Sequence, residues 1–282
     1  MKKFYKYHGA GNDFILINNI DGKTVLSKEQ IISLCDRHKG IGADGLILLE
    51  SSVNMYSATS IGSMDSPQAY CFMNYYNSDG TQAEMCGNGI RCTAKFFLDQ
   101  TRSKLKELLI DTRAGVKKII CNTDESFSVN MGTPVFSHKD FPNEPLIFEG
   151  IKFDFVSIGN PHAVGFVENI FTVDVSRTGP RIEKDFHFPN KINVEFVEKV
   201  SETFFRVKVW ERGCGETLAC GTGACAVYAV LKNCVRQDLT QSLTQNEITL
   251  EFPGDNLYLS ENKEGEIILR GPAECVFKGK MN

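Results

Sequence analysis

The sequence lacks any apolar run long enough to form a membrane-spanning helix. Its richest apolar stretch, residues 219–231, is interrupted by Gly221 and Gly223. That stretch falls well short of the roughly 20 residues that cross a bilayer. The first six residues include three lysines, but no apolar core typical of a secretory signal peptide follows them. We therefore expect a cytoplasmic protein.

The chain also lacks an excess of positive charge. Its 31 Lys and Arg residues are outnumbered by 35 Asp and Glu, which gives a formal net charge of −4. This balance offers no basic stripe for nucleic acid and no polybasic segment for an anionic membrane. The hydrophobic share of 42% is ordinary for a globular protein, and the length of 282 residues favours two domains.

Ten cysteines are present, but no Cys-x-x-Cys motif occurs among them. The sequence therefore offers neither the usual zinc-ligand spacing nor a thioredoxin-like redox centre. Disulfides are not expected in a reducing compartment, and a chain of this length does not need them. Most of the cysteines are expected to be small buried apolar residues, so any other role needs its own argument.

Short apolar runs predict an α+β fold in which strands outnumber helices. A helix is expected over residues 28–38, with Ser27 as its N-cap. Residues 51–66 have no periodicity and are expected to form an exposed loop or insertion. Strands are expected at residues 14–18, 46–50, 153–156, 194–200, 205–210 and 248–252, and within the strand-rich stretch 117–136.

The segment Gly40-Ile-Gly42-Ala-Asp-Gly45 matches the dinucleotide-binding fingerprint, but its context does not. That fingerprint needs a strand before it and a helix after it, so that the helix N-terminus faces the pyrophosphate. Here a predicted helix precedes the glycines and a predicted strand follows them. We therefore interpret the segment as a turn between helix and strand.

An internal repeat is the most informative feature of the sequence. Residues 84–92, Glu-Met-Cys-Gly-Asn-Gly-Ile-Arg-Cys, resemble residues 218–226, Leu-Ala-Cys-Gly-Thr-Gly-Ala-Cys-Ala. Asn77 precedes the first repeated cysteine by the same interval at which Glu211 precedes the second. The chain is therefore interpreted as two copies of one domain.

The repeat extends further back, where Gly11-Asn12-Asp13 is echoed by Gly159-Asn160-Pro161. The interval from Asn12 to Cys86 is longer than the interval from Asn160 to Cys220. The excess is close to the length of the predicted loop at 51–66. We therefore expect that loop to be an insertion in the first copy.

Each repeated cysteine directly precedes Gly-x-Gly and a helix-forming stretch. The first N–H groups of a helix have no intrahelical partner, and glycine lets a ligand approach them closely. Such a helix end binds anions and is expected to lower the pKa of a neighbouring thiol from about 8.5. A tight turn with a buried thiol would explain one copy equally well. Two copies at equivalent points favour a functional pair, Cys86 and Cys220, facing each other across a domain interface.

Two facing thiols at helix ends suit proton transfer at the α-carbon of an amino acid. Helix N-termini directed at the carboxylate would stabilise the carbanion without a cofactor. A thiolate on one face would remove the proton, and a thiol on the other face would deliver one, which inverts the centre. The residues therefore predict a cofactor-independent amino-acid epimerase.

At these residues the sequence resembles the diaminopimelate epimerase family. The matching segments follow the family's order at residues 7–14, 77–80, 85–92, 159–162, 192–194, 211–224 and 271–274. The resemblance implies interconversion of LL- and meso-diaminopimelate in the lysine and peptidoglycan pathway. It also implies that the reaction uses neither pyridoxal phosphate nor metal. Members of the family are usually homodimers, so a homodimer is expected here.

The resemblance also implies a fold of two pseudo-symmetric domains. Each domain would be a β-barrel-like sheet wrapped around a central helix, with the active site in the cleft between them. We expect the first domain at residues 1–118, joined by the returning segment 270–282, and the second at 119–269.

Roles follow for the matched residues. Cys86 and Cys220 look like the acid–base pair, and His162 and Glu211 like the groups that assist thiol deprotonation. Arg212 should pair with the carboxylate at the unreactive centre, a task suited to a planar guanidinium. The expected substrate-binding set is Asn12, Asn77, Gly87, Asn88, Asn160, Asn193, Glu211, Arg212, Gly221 and Thr222. Some family members have a substrate-contacting glutamine where this chain has Gly45, so that contact is absent or replaced here.

Two alternatives remain open on the sequence. Another cofactor-independent racemase, for example of proline or hydroxyproline, would share the two cysteines but lack the Glu-Arg-Gly-x-Gly-Glu-Thr stretch. A thiol-rich protein could instead hold metal through Cys86, Cys92, Cys214, Cys220 and Cys225, although their irregular spacing argues against it. The metal content of the purified protein and its activity after chelation distinguish these classes.

Overall fold

The structure, a computed structural model, describes residues 2–52, 69–138, 141–142, 144–237 and 247–281. The chain divides into two compact units, Met1–Val129 with Gly271–Asn282, and Asn130–Arg270. The division expected after residue 118 lies within the strand Lys117–Cys121, and the division after Val129 lies within the strand Phe127–Gly132. In the described part of the chain, no helix is long and apolar enough to cross a membrane.

The first unit alternates strands with two helices. Its elements are β1 Lys2–Gly9, β2 Asn12–Asn18, α1 Lys28–Cys35, β3 Gly45–Glu50, β4 Cys71–Asn77, α2 Gly87–Thr101, β5 Glu107–Asp111, β6 Lys117–Cys121, β7 Phe127–Gly132 and the last strand of the chain, β17 Glu274–Met281. The residues of β7 after Val129 belong to the second unit. The second unit holds β8 Leu146–Phe148, β9 Ile151–Ser157, β10 Pro161–Val167, α3 Val175–Glu183, β11 Asn193–Lys199, β12 Phe204–Glu211, β13 Gly215–Thr217, α4 Gly221–Gln237, β14 Glu247–Glu251, β15 Asn256–Glu261 and β16 Ile267–Gly271.

The two units repeat one sheet topology. In the first, neighbouring strands run in the order β17-β1-β2-β3-β4-β5-β6-β7, and only the pairs β2–β3 and β4–β5 are parallel. The second follows the order β8-β9-β10-β11-β12-β14-β15, with β16 paired to β15, and its parallel pairs are β10–β11 and β12–β14. The parallel pairs occupy the same places in both sheets, which confirms the repeat expected from the sequence.

The strand registers locate the insertion. Phe14 pairs with Gly45, and His162 pairs with Asn193, so an equal length of chain separates these partners in both units. In the next pair of strands, Leu46 lies opposite Tyr76, whereas Val194 lies opposite Trp210, which is a much shorter separation along the chain. The additional chain of the first unit therefore belongs to the β3–β4 connection. Of the loop expected at 51–66, residues 53–66 lie outside the described residues.

A buried helix fills the centre of each sheet. Helix α2 packs against β1 to β5 and β17, and helix α4 packs against β9, β10, β11 and β15. Every residue from Gly87 to Ala94 is buried. A helix that is buried on all sides in its first turns cannot fray into solvent. The residue before each helix, Cys86 or Cys220, is therefore held in a fixed position.

Helix α1 ends at Cys35, before the predicted end at residue 38, whereas its N-cap Ser27 is confirmed by a full capping box with Gln30. Asp36 leaves the helix with φ −61° and ψ 122°, and its Oδ1 accepts hydrogen bonds from the N–H groups of His38 and Lys39. This side-chain turn competes with further helix. Strand β3 begins at Gly45, so the glycine-rich segment is a turn between helix and strand, as interpreted.

Candidate active site

Cys86 caps the N-terminus of α2. It has extended backbone angles, φ −139° and ψ 124°, and its Sγ accepts a hydrogen bond from Gly89 N–H at 3.4 Å. This is the geometry in which a serine or aspartate normally satisfies one of the unpaired N–H groups of a helix. The cap places the half-buried thiol beside the positive end of the helix dipole.

Asn12 joins the strand β2 to this helix end. Its Oδ1 accepts from the Cys86 thiol at 3.8 Å and from Asn88 Nδ2 at 3.3 Å. Its own Nδ2 donates to Asp44 at 2.6 Å, which fixes the amide orientation. The structure thus brings together three residues predicted from the sequence, Asn12, Cys86 and Asn88.

Beneath this helix end lies Arg91, a buried residue that the sequence analysis missed. Its guanidinium donates to Gly87 O at 3.1 Å and to Asn88 Oδ1 at 2.8 Å. Its Nε donates to Pro272 O at 3.2 Å, in the segment that returns to the first unit. Because Arg91 donates to the Asn88 side-chain oxygen, the Asn88 amide nitrogen is directed toward Asn12. In the sequence, the one indication that Arg91 is buried was its position among the apolar residues that begin a predicted helix.

A charged cluster supports Asn12 from behind. The Asp13 carboxylate forms salt bridges with the Lys6 ammonium at 2.6 Å and with the Arg37 guanidinium at 2.7 Å. The Arg37 guanidinium also forms a salt bridge with the Asp44 carboxylate at 2.6 Å. Burial alone would raise the pKa of Asp13, but the hydrogen bonds from Arg37 and Lys6 outweigh it and lower the pKa to about 2. Asp13 is therefore a carboxylate throughout the neutral range.

Asn77 ends β4 and lies in a turn, where its Nδ2 donates to Thr81 Oγ1 at 3.0 Å. The residue opposite it in β3 is Gly45. A Cβ at Gly45 would lie 2.6 Å from both the Tyr75 ring and the Tyr76 carbonyl oxygen. A side chain at position 45 would therefore require β3 and β4 to move apart, which explains the glycine in this chain.

Cys220 repeats the Cys86 arrangement at α4. Its Sγ accepts from Gly223 N–H at 3.3 Å and lies 3.4 Å from Thr222 Oγ1. The residue is only 4% exposed, which makes it more deeply buried than Cys86. The same helix cap therefore sits in a drier environment in the second unit.

The expectation that a helix end lowers the thiol pKa is wrong for Cys220. Burial raises its pKa well above the usual value, and the negative charges of Glu211 and Glu195 raise it further. The opposing hydrogen bonds from Thr222 and Gly223 are weaker than these effects. Loss of solvation outweighs the helix end because the thiolate, not the thiol, carries the charge. Cys220 is therefore a thiol, and so a proton donor, at neutral pH.

Glu211 lies next to Cys220 at the end of β12. It accepts a short hydrogen bond from Thr217 Oγ1 and is hydrogen-bonded to the Cys220 thiol. Burial raises the pKa of Glu211, and these two hydrogen bonds only partly oppose the rise. A carboxylate with a raised pKa is a better acceptor for a thiol proton than an ordinary one.

Asn160 and His162 continue the site behind Thr222. Asn160 Nδ2 donates to Thr222 Oγ1 at 3.3 Å, and Asn160 Oδ1 lies 3.0 Å from His162 Nε2. His162 Nδ1 lies 2.7 Å from Glu195 Oε1, and neither side chain is exposed to solvent. The second oxygen of Glu195 has no hydrogen-bond partner in the described part of the chain. An unsatisfied buried acceptor costs about 1–3 kcal/mol.

Glu195 was not singled out from the sequence. A glutamate among the apolar residues of the predicted strand 194–200 was the only signal. The two units differ at this point, because the shared β-strand register places Phe14 and Ile47 where the second unit has His162 and Glu195.

We call the residues around Cys86 the first half-site and the residues around Cys220 the second. Asn193 and Arg212 form the edge of the second half-site. Asn193 Nδ2 donates to Pro161 O at 2.8 Å, and its Oδ1 accepts from Arg212 N–H at 2.9 Å. The Arg212 side chain is exposed, and its guanidinium donates to Asn190 O at 3.1 Å. Asn193 thus holds the Arg212 backbone in place, while the Arg212 guanidinium is exposed. Over the residues described, no group of three or more His, Cys, Asp or Glu is arranged to hold a metal ion.

Comparison with known proteins agrees with this geometry. The sequence model of a family described as "Diaminopimelate epimerase" matches residues 4–137 and 155–276. A diaminopimelate epimerase of Methanococcus maripaludis is 37% identical over 297 residues, with 99% of each chain covered. One of Trichodesmium erythraeum is 39% identical over 293 residues, covering 99% of this chain and 98% of the relative.

Solved structures with low identity share the fold. A hydroxyproline epimerase of Agrobacterium vitis has a TM-score of 0.65 at 15% identity, covering 99% of this chain and 90% of the other. A phenazine biosynthesis protein of the PhzF family from Bacillus anthracis has a TM-score of 0.67 at 16% identity, covering 100% and 99%.

The third residue of each central helix offers a matched pair of substitutions. A Cβ on Gly223 would lie 2.6 Å from Glu195 Oε1, whereas the nearest atoms to a Cβ on Gly89 lie at 3.3 Å. We predict that Gly223→Ala destabilises the protein by about 1–3 kcal/mol, because overpacking a buried site forces atoms apart. Gly89→Ala should cost much less. Thermal unfolding of the full chain measures both, and equal losses would contradict the difference between the two half-sites.

Proposed function

The chain belongs to the diaminopimelate epimerase family, and on that premise we propose that it interconverts LL-2,6-diaminopimelate and meso-2,6-diaminopimelate. The reaction would serve lysine and peptidoglycan precursor biosynthesis. The observation that carries the proposal is the repeated half-site. In both units a cysteine caps the central helix by accepting a hydrogen bond from a glycine N–H in its first turn.

In the proposed reaction, Cys86 and Cys220 act on opposite faces of one α-carbon. A thiolate takes the α-proton, and the electron pair left on carbon is delocalised into the carboxylate. The other thiol gives its proton to the opposite face, which inverts the centre and leaves that cysteine as the thiolate. The reverse reaction exchanges the two roles.

The first-turn amides of both helices would bind the carboxylate at the reacting centre. These are the N–H groups of Gly87, Asn88, Gly221 and Thr222. Helix N-termini present unpaired donors and positive potential, so they stabilise the negative charge that develops as the proton leaves. Support for this assignment comes from the two caps, which hold sulfur and amides at the same helix end.

His162 and Glu211 would assist proton transfer at Cys220. Glu211 is hydrogen-bonded to the thiol. Its raised pKa reduces the difference in pKa between the thiol and the carboxyl group, which makes proton transfer between them less unfavourable. His162 would act through Asn160 and Thr222, to which it is linked by hydrogen bonds. Removal of the thiol proton by these groups matters most when Cys220 must serve as the base, because the raised pKa of Cys220 favours the thiol over the thiolate.

Diaminopimelate carries a second amino-acid group, and recognising it is what distinguishes this reaction from the racemisation of a simple amino acid. We assign its carboxylate to Arg212, whose exposed guanidinium can form two parallel hydrogen bonds. The remaining substrate contacts are proposed for Asn12, Asn77, Asn160 and Asn193.

Further expectations rest on the sequence and the family resemblance. The reaction should need neither pyridoxal phosphate nor metal. The enzyme should be cytoplasmic and form a homodimer. A proline or hydroxyproline racemase is disfavoured, because a hydroxyproline epimerase shares only the fold at 15% identity while diaminopimelate epimerases reach 37% and 39%.

We predict that Cys86→Ser and Cys220→Ser each abolish epimerisation. A serine hydroxyl is far too weak an acid to replace a thiolate as base. Cys234→Ser is the control, because Cys234 is exposed on the same helix α4 as the Cys220 cap and should leave turnover unchanged. Turnover of LL-diaminopimelate by the three variants is the measurement. Near-normal turnover in either of the first two would contradict the two-base reaction.

We also predict that Arg212→Lys loses at least about 1.4 kcal/mol of transition-state stabilisation, a tenfold fall in kcat/KM. An ammonium group keeps the charge but cannot form the two parallel hydrogen bonds of a guanidinium. The exposed Arg181, which pairs with Glu149 on the same unit, gives the control Arg181→Lys. If both variants keep wild-type kcat/KM, Arg212 does not bind the second carboxylate.

A further inference from the structure

We propose that Glu195 is a positioning residue of the second half-site, which orients His162 and holds Cys220 in its protonated, proton-donating form. The proposal deepens the proposed function and rests on it. The two half-sites then differ before substrate binds, with Cys220 set as the acid and Cys86 left to act as the base.

A continuous series of hydrogen bonds connects Glu195 to the thiol. The contact distances are 2.7 Å from Glu195 to His162, 3.0 Å from His162 to Asn160, 3.3 Å from Asn160 to Thr222, and 3.4 Å from Thr222 to Cys220. The series runs from β11 through the start of β10 and the residue before it to the first turn of α4 and its capping cysteine. A change at Glu195 can therefore reach the sulfur through fixed contacts.

The contacts fix the orientation of the His162 ring. Asn160 uses its Nδ2 to donate to Thr222, so its Oδ1 is the atom that faces His162 Nε2. The other ring nitrogen, Nδ1, faces a Glu195 carboxyl oxygen. Each ring nitrogen of His162 therefore faces an oxygen atom. In the proposal the proton shared with Glu195 lies on the ring, so that both ring nitrogens donate and Glu195 is the buried carboxylate that holds the ring in place.

The first unit shows that the fold does not need this ion pair. The matching β-strand registers put Phe14 at the place of His162 and Ile47 at the place of Glu195, and both are fully buried. Ile47 lies against Gly89 in the first turn of α2, as Glu195 lies against Gly223 in the first turn of α4. Since an apolar pair is sufficient for packing, the charged pair requires a chemical explanation.

Glu195 lies against the helical turn that holds the Cys220 sulfur. Glu195 Oε1 lies 2.6 Å from the position of a Gly223 Cβ, and the Gly223 N–H donates to Cys220 Sγ. The His162 ring lies behind Asn160 in the series. Among the described residues, the titratable groups that act on this point are Glu195 on β11, Glu211 on β12, His162 on β10 and Cys220 itself. A nearby anion disfavours the thiolate, so Glu195 keeps the proton on sulfur.

The test is the pH dependence of Cys220 alkylation in the full chain, followed by mass spectrometry of the Cys220 peptide. Iodoacetamide reacts with the thiolate, so the midpoint of the rate against pH reports thiol ionisation. In Glu195→Gln we expect the midpoint to fall by about one pH unit, which is about tenfold faster alkylation below the midpoint. Glu195→Asp keeps the charge and should keep the midpoint near the wild-type value. An unchanged midpoint in Glu195→Gln overturns the proposal.

Two further readouts keep the test decisive if Glu195→Gln folds poorly. The double variant His162→Phe with Glu195→Ile copies the pair found in the first unit and should also lower the Cys220 midpoint. Nitrogen NMR of the wild-type protein should show protons on both His162 ring nitrogens, and a neutral ring would overturn the proposal. Neither readout uses diaminopimelate. If the proposed function is wrong, turnover of diaminopimelate will be absent while the alkylation and NMR results are still as expected.

Discussion

The hydrogen bond from a helix N–H to a cysteine sulfur is the interaction on which both half-sites depend. Gly89 N–H donates to Cys86 and Gly223 N–H donates to Cys220, so each sulfur satisfies one of the donors that a helix leaves unpaired at its start. The surrounding strands bury the helices, which keeps these ends from fraying. An asparagine, Asn12 at the start of β2 or Asn160 just before β10, then contacts each capped turn.

The same backbone supports two different chemical environments. In the first unit Cys86 is half-buried, and its first helical turn is backed by the apolar Ile47. In the second, Cys220 is nearly inaccessible and is flanked by Glu195 and Glu211. Burial and negative charge both favour the protonated thiol, whereas the helix end favours the thiolate, and burial is the largest of these effects. A two-base epimerisation needs one thiol and one thiolate at the start, and this asymmetry provides the thiol.

The sequence predicted the features that depend on local patterns. The repeat, the caps at Cys86 and Cys220, the helix that begins after Ser27 and the insertion between β3 and β4 all follow from spacing along the chain, and the described residues agree with them. The raised pKa of Cys220 could not be predicted in this way, because it depends on the burial of the sulfur in the folded chain and on the charges of Glu195 and Glu211. Arg91 and Glu195 escaped notice for a related reason: their partners, Pro272 and His162, are distant in sequence.

The most direct test of the account is the early reaction of pure LL-diaminopimelate in deuterated water, after exhaustive chelation and without added pyridoxal phosphate. If two different groups remove and deliver the proton, meso product should carry deuterium at its inverted α-carbon while the remaining LL substrate carries almost none. Deuterium entering unreacted substrate as fast as product would mean that one group does both steps. That result, or a reaction that starts only when metal or pyridoxal phosphate is added, would contradict the paired-thiol account.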